Sequence, residues 1–114
     1  MEFENNRPIW LQIYDSICDR ILSGDLAQGG RIPSVREYGA DIGVNPNTVM
    51  RTYEKLTADG IIFNRRGIGY FVADDAKETI AKAQRKSFME NELPAFLRRM
   101  RLLGISPSEI YFEQ

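Results

Sequence analysis

The sequence predicts a mainly α-helical chain with one small β-hairpin: three helices, the hairpin, and a short helical tail. Three observations lead there. Two helix starts and two helix stops crowd into Ser34 to Gly60. The hydrophobic period changes directly after Gly60, where Ile61-Ile62-Phe63 and Tyr70-Phe71-Val72 bracket a Gly-containing turn. From Asp74 onward the spacing of apolar residues returns to that of a helix.

Taken in order, Pro8 to Ser23 is expected as the first helix. Ile9, Ile13, Ile17 and Ile21 recur every four residues, Trp10, Tyr14 and Cys18 widen the stripe, and Gly24 is the stop. Asp25 to Pro33 reads as a loop containing Gly29-Gly30, anchored by Leu26 and Ile32. Ser34 followed by Glu37 is a capping box, and Gly43 ends that helix after about two and a half turns. Asn45 is a second N-cap, and Pro46 sits at the first helical position, where a missing N–H costs nothing. Gly60 closes this third helix. Two short helices joined by a tight turn make a helix-turn-helix. A hairpin with Asn64 to Gly69 as its turn follows directly, the chain order of a winged helix-turn-helix.

In the tail, Asp74 and Asp75 suit a helix N-terminus. Ala76 to Met89 carries a thin stripe of Ile80, Ala83 or Gln84, and Phe88. Pro94 marks either a kink or a new start capped by Asn91. Leu93, Phe96, Leu97, Met100 and Leu103 form a strong stripe, Gly104 stops it, and Ser106-Pro107 begins a final turn ending near Phe112. Arg98, Arg99 and Arg101 read as a solvated face. A tail of this size seldom folds alone. It is expected to pack on a second copy or on the preceding domain, and a symmetric dimer is the economical answer. The division is therefore 7–73 for a winged helix-turn-helix domain and 74–114 for a helical dimerisation segment.

Composition excludes several classes. Hydrophobic content of 43% and charged content of 27% are ordinary for a folded soluble domain. No histidine is present and Cys18 is the only cysteine, which removes histidine-based nucleophilic arrangements and the usual zinc sites. No cofactor and no enzyme are expected. A lone cysteine on an apolar helix face fits a buried thiol in a reducing cytoplasm, with an intermolecular disulfide as the lesser alternative. No signal peptide and no run approaching the ~20 apolar residues of a membrane span are visible. Net charge is −1, so any basic surface must come from local placement of Arg36, Arg51, Lys55, Arg65 and Arg66.

The third helix divides by face. At about 100° per residue, Val49, Tyr53 and Leu56 share one stripe and are expected in the core. Asn47, Thr48, Arg51 and Lys55 cluster opposite. Asn pairs with adenine, Arg with guanine, and Thr or Lys with phosphates or bases, so this face suits a DNA groove. An ordinary solvated helix face would look similar, but the hairpin with Arg65 and Arg66 that follows favours DNA. Gly67-Ile68-Gly69 is not a dinucleotide fingerprint, since it opens no helix.

Residues 7–73 resemble the DNA-binding domain of the GntR family of bacterial transcription regulators. The matching stretches are Pro8 to Ile13, Gly24-Asp25-Leu26, Gly29 to Glu37, Gly43 to Val49, Tyr53 to Leu56, Gly60-Ile61-Ile62 and Arg66 to Val72. The Asn45-Pro46-Asn47-Thr48-Val49 start and the short helical tail are similar to the YtrA-like subfamily. The resemblance implies a dimeric winged-helix regulator, usually a repressor, on double-stranded DNA, often encoded beside ABC-type transporters. By position it implies that Arg36 and Arg51 contact bases or adjacent phosphates. Asn45, Asn47 and Thr48 would meet the backbone and groove edge, and Arg65, Arg66 and Gly67 would set the wing at the minor groove. Ile80, Phe88, Leu93, Phe96, Leu97, Met100 and Leu103 are the expected dimer contacts. Four positions depart from the family pattern: Gln28 for proline, Gly39 for leucine, Ile68 for a basic residue and Tyr70 for threonine. The first two are structural and expected to be tolerated; the third is expected to weaken phosphate contact at the wing tip or to shift it onto Arg65 and Arg66. Two other readings stay open: a regulator sensing a small-molecule effector in a pocket around Phe88, Phe96 and Met100, and a winged-helix protein–protein adaptor.

Overall fold

The computed structural model describes residues 1–110. Its order is α1 (Ile9–Leu22), α2 (Val35–Ile42), α3 (Pro46–Ala58), β1 (Ile62–Arg65), β2 (Gly69–Val72), α4 (Ala76–Ser87), a π-helical turn (Phe88–Glu92), α5 (Leu93–Leu102) and a 3-10 turn (Pro107–Glu109). The expected end of that last turn near Phe112 lies outside the described residues. Two compact units are distinct, one from Met1 to Ala81 and one from Lys82 onward. None of the described helices is long and apolar enough to cross a membrane.

In the first unit the apolar stripes meet. Ile13, Ile17 and Ile21 of α1 pack with Val49, Tyr53 and Leu56 of α3, Tyr38 of α2, and Ile62 and Val72 of the hairpin. Ile9, first of the isoleucine series, stays 44% exposed because the core begins one turn later. Both expected caps form. Ser34 Oγ accepts from the Glu37 N–H (3.1 Å) while Glu37 Oε1 accepts from the Ser34 N–H (3.1 Å). Asn45 Oδ1 accepts from the Asn47 N–H at 2.8 Å, with Pro46 opening α3. Gly43 takes φ 72° at the end of α2, a left-handed conformation that side chains disfavour.

Tyr53 ties the unit together. It is fully buried, donates its hydroxyl to the Pro33 carbonyl at 2.6 Å, and meets Tyr38 and Tyr70 edge-on. Burial pushes its phenol well above the ordinary tyrosine value. Gly39 is a close-approach site: a Cβ there would stand 2.6 Å from the Val44 carbonyl oxygen. A side chain there would meet the backbone of the turn between α2 and α3.

The structure differs from expectation at the hairpin. Its strands run further than expected, pairing Asn64 with Tyr70 and Arg65 with Gly69, so only Arg66 to Ile68 remain as the turn. The Ile68 N–H donates to the Arg65 carbonyl, closing the turn, and Gly67 supplies φ 80°. The expected loop before Ser34 also contributes to the sheet. Gly29 N–H donates to Val72 O, Val72 N–H to Gly30 O, and Ile32 N–H to Tyr70 O, with Arg31 bridged to Phe71.

Ile80 needs correction. It is 3% exposed and belongs to the first unit's core together with Ala76, so it is not available to a second copy. A buried stripe reveals that a face is covered, not what covers it. At Pro94 the new-start alternative is the one that forms, α5 opening at Leu93 with the proline in its first turn, but without the expected cap. Asn91 caps nothing. Instead the Leu93 N–H reaches five residues back to the Phe88 carbonyl, and this π turn leads helical backbone into α5 around a residue with no N–H.

Cys18 is buried as expected, 1% exposed. Burial, and then Asp15, Asp19 and Asp59, push its thiol up to about 12. A raised value means the unfolded chain sheds this proton first. The stability it supports is therefore complete below about pH 8.5 and falls as pH climbs toward the folded value. Between about pH 8 and pH 9.5 we expect the urea midpoint to decline, and Cys18→Ala to flatten that decline. Equal declines in both proteins would contradict it.

Candidate nucleic-acid interface

α3 presents its polar face as its caps and core stripe require. Val49, Thr52, Tyr53 and Leu56 point inward, and Thr52 Oγ1 donates to the Trp10 carbonyl of α1 at 2.6 Å. That bond fixes the rotation of α3, so Asn47 and Arg51 lie exposed and Thr48 half-buried. The first turn of α3 holds no acidic residue, leaving the positive end of the helix open to an anion. Asn45 is exposed, but its side-chain oxygen is committed to the cap, so only its amide N–H groups remain for a ligand.

Arg51 rests on the Trp10 ring, its guanidinium carbon 4.5 Å from the centroid. Stacking engages the flat face of the guanidinium and leaves the in-plane donors free. Lys55 stands apart from this group. It is eight residues beyond Asn47, roughly 12 Å along the helix, and pairs with Asp59 at 2.9 Å while lying over Tyr14. Tyr14 also donates to Asp59, at 2.6 Å. Burial works against the Asp59 anion, yet Tyr14 and Lys55 hold its carboxyl below the usual range. Lys55 thus offers a largely compensated charge.

Arg36 is exposed on the first turn of α2. At the wing, Arg66 and Gly67 occupy the exposed tip, as the sequence suggests. Arg65 is corrected: it lies on the end of β1, its guanidinium over the stacked rings of Phe63 and Phe71 at 5.8 and 5.4 Å. Ile68, beside the tip, is 57% exposed.

Sequence reasoning missed three groups. Met50, 38% exposed, and Glu54, also exposed, share the outward face of α3 with Asn47 and Arg51; extending the helical angle to every residue would have found them. Arg31 lies against Gly69 of the wing, which depends on strand pairing that sequence spacing does not reveal.

In the second unit Phe88, Phe96, Leu97 and Leu103 are exposed and Leu93 is half-buried. Met100 is a correction: at 6% exposure it has little surface left for a second copy. The chain turns back after α5, where the Ile105 N–H donates to the Met100 carbonyl at 2.9 Å. An open groove of about 290 Å³ there is lined by Leu97, Met100, Arg101, Ile105 and Pro107. Phe88 and Phe96 do not line it.

Comparison with known proteins agrees with this geometry. The profile of the gntR family of bacterial regulatory proteins matches residues 10–72. The HTH-type transcriptional regulator YhcF of Bacillus subtilis is 37% identical over 96% of this chain and 88% of its own length. The HTH-type transcriptional repressor YtrA of the same organism is 36% identical over 70% of this chain and 62% of its length. A crystal structure of a GntR-family regulator from Bacteroides thetaiotaomicron superposes with a TM-score of 0.68 at 50% identity, covering 89% of this chain and 87% of that one. The DNA-binding domain of AraR, solved in complex with an operator, superposes at 0.58 with 26% identity over 64% of this chain and 88% of that domain. With a helix-turn-helix, a hairpin wing and relatives that are transcription regulators, the chain is a DNA-binding regulator and belongs to the gntR family of bacterial regulatory proteins.

Proposed function

We infer that this regulator works in the cytoplasm as a homodimeric repressor without catalytic activity, holding a pseudo-palindromic operator through two copies of α3. Residues 7–73 would carry the DNA contacts, and the segment from 74 on, past the core residue Ile80, would join the copies. The reading rests chiefly on the outward face of α3: Asn47 and Arg51 are exposed, free of ion pairs among the described residues, and placed at a helix N-terminus without acidic groups. Recognition helices use their N-terminal residues on base edges, and a two-fold protein places its two helices about 34–36 Å apart. Arg36 and Thr48 would contact the adjacent backbone, and Arg66 and Gly67 the flanking minor groove. The AraR complex supports a DNA role for this fold. The exposed Phe88, Phe96, Leu97 and Leu103 support self-association.

Selection of duplexes from a random pool at low salt tests this. The expected result is two inverted half-sites separated by about one helical turn. Arg66→Ala is expected to weaken selected and unrelated duplexes alike and to lower the salt slope by about 1 per subunit, read by fluorescence anisotropy. A parent protein that shifts no duplex at low salt would favour the adaptor reading instead.

A further inference from the structure

The wing sheet has an inner and an outer face. Ile62 and Val72 point into the core. Phe63 and Phe71 stack on the other side, with Arg65 over both rings. The bridge between Arg31 and Phe71 sets Arg31 on this outer face too, since paired residues project to the same side. Its side chain reaches along β2 to Gly69. A Cβ at Gly69 would stand 3.0 Å from Arg31 Nε and 3.4 Å from one terminal nitrogen. The glycine therefore leaves a seat that the guanidinium occupies, two residues from the wing-tip Gly67.

Two acidic groups lie near it. Glu37 and Asp41 share a shallow groove with Arg31. The Glu37 carboxyl is held below its usual range mainly by its hydrogen bonds with Ser34, and further by Arg31. Its carboxylate already caps α2, however, and Arg31 forms no ion pair among the described residues. Arg31 is exposed. A planar five-donor group, seated over a glycine and without an ion pair among the described residues, is suited to a phosphate oxygen pair.

We propose that Arg31, seated over Gly69, is a phosphate contact that grips the duplex backbone between the wing and the start of α2. The proposal rests on the DNA-binding reading above and adds a residue to it. In a chain of net charge −1, one unpaired cation on that path carries a measurable share of the salt-dependent affinity.

The test compares the full-length parent with Arg31→Ala, Arg31→Lys and Arg51→Ala on a selected duplex and an unrelated one across a salt series. Arg31→Ala is expected to weaken both duplexes alike, by about 3- to 10-fold, and to lower the slope of log affinity against log salt by about 1 per subunit. Arg31→Lys is expected to keep most of the slope, and the melting temperature of both variants to match the parent's. An unchanged slope in Arg31→Ala would overturn the proposal. So would a loss confined to the selected duplex, or an Arg31→Lys variant as weak as Arg31→Ala with a lowered melting temperature. If the parent binds neither duplex, the DNA reading itself fails. If Arg51→Ala loses affinity while Arg31→Ala does not, only this proposal fails.

Discussion

Phe96→Asp combined with Leu103→Asp is expected to leave the chain monomeric and to lower its affinity for a two-half-site operator by about 10²- to 10⁴-fold. Phe96 is 55% exposed and Leu103, at the C-cap of α5, 57%; seven residues apart, they fall on one side of the helix. An aspartate there would have to lose its hydration inside an apolar seam, which is unfavourable without a partner. The winged helix-turn-helix core uses neither residue, so the melting transition of that unit should survive. The loss at the operator would come from connectivity: once one half-site is bound, a joined partner meets the second at high effective concentration. Sedimentation gives the oligomeric state and anisotropy the affinity. Affinity for an isolated half-site should be unchanged. A double variant that still sediments as a dimer would remove these residues from the seam.

Arg51→Ala is expected to cost about 1–3 kcal/mol in operator binding and to relax preference at one base pair. Its effect on folding should be small, because the stacking lost over Trp10 is worth only about 0.5–1 kcal/mol at an exposed site. Trp10 is the sole tryptophan, so its emission reports on this contact directly. DNA that draws Arg51 off the ring should change Trp10 emission in the parent and leave it nearly unchanged in Arg51→Ala. Arg51→Lys should keep part of the affinity but lose the base preference, since an ammonium lacks the two-pronged donor geometry. A variant that retains both affinity and preference would show that Arg51 reads nothing.

What the sequence made legible was local. Caps depend on residues three or four apart, so Ser34 with Glu37, and Asn45 with Pro46, announce their helices without tertiary knowledge. The inward stripe of Val49, Tyr53 and Leu56 follows from one angle per residue. The wing turn is narrower than residue type implies because strand pairing decides that Asn64 and Arg65 belong to a strand. The bridge at Arg31 joins segments far apart in the chain, and nothing near Arg31 signals it. Ile80 and Met100 show the limit of amphipathic stripes: both are covered within one chain, while Phe96 and Leu103 on similar spacing are not. The Lys55–Asp59 pair was within reach, since four-residue spacing brings opposite charges together on a helix. Gly39 was not, because its significance lies in how closely the Val44 carbonyl approaches.

If the N-terminal turns of α3 and the wing tip form the surface that meets DNA, their amides are the ones that DNA perturbs. Backbone amide NMR during titration with a selected duplex measures this residue by residue. The largest shifts are expected on Asn47 to Arg51 and on Arg66 and Gly67, with the buried amides of α1 little affected. Shifts concentrated in the second unit, with Asn47, Arg51 and Gly67 unmoved at saturation, would contradict it.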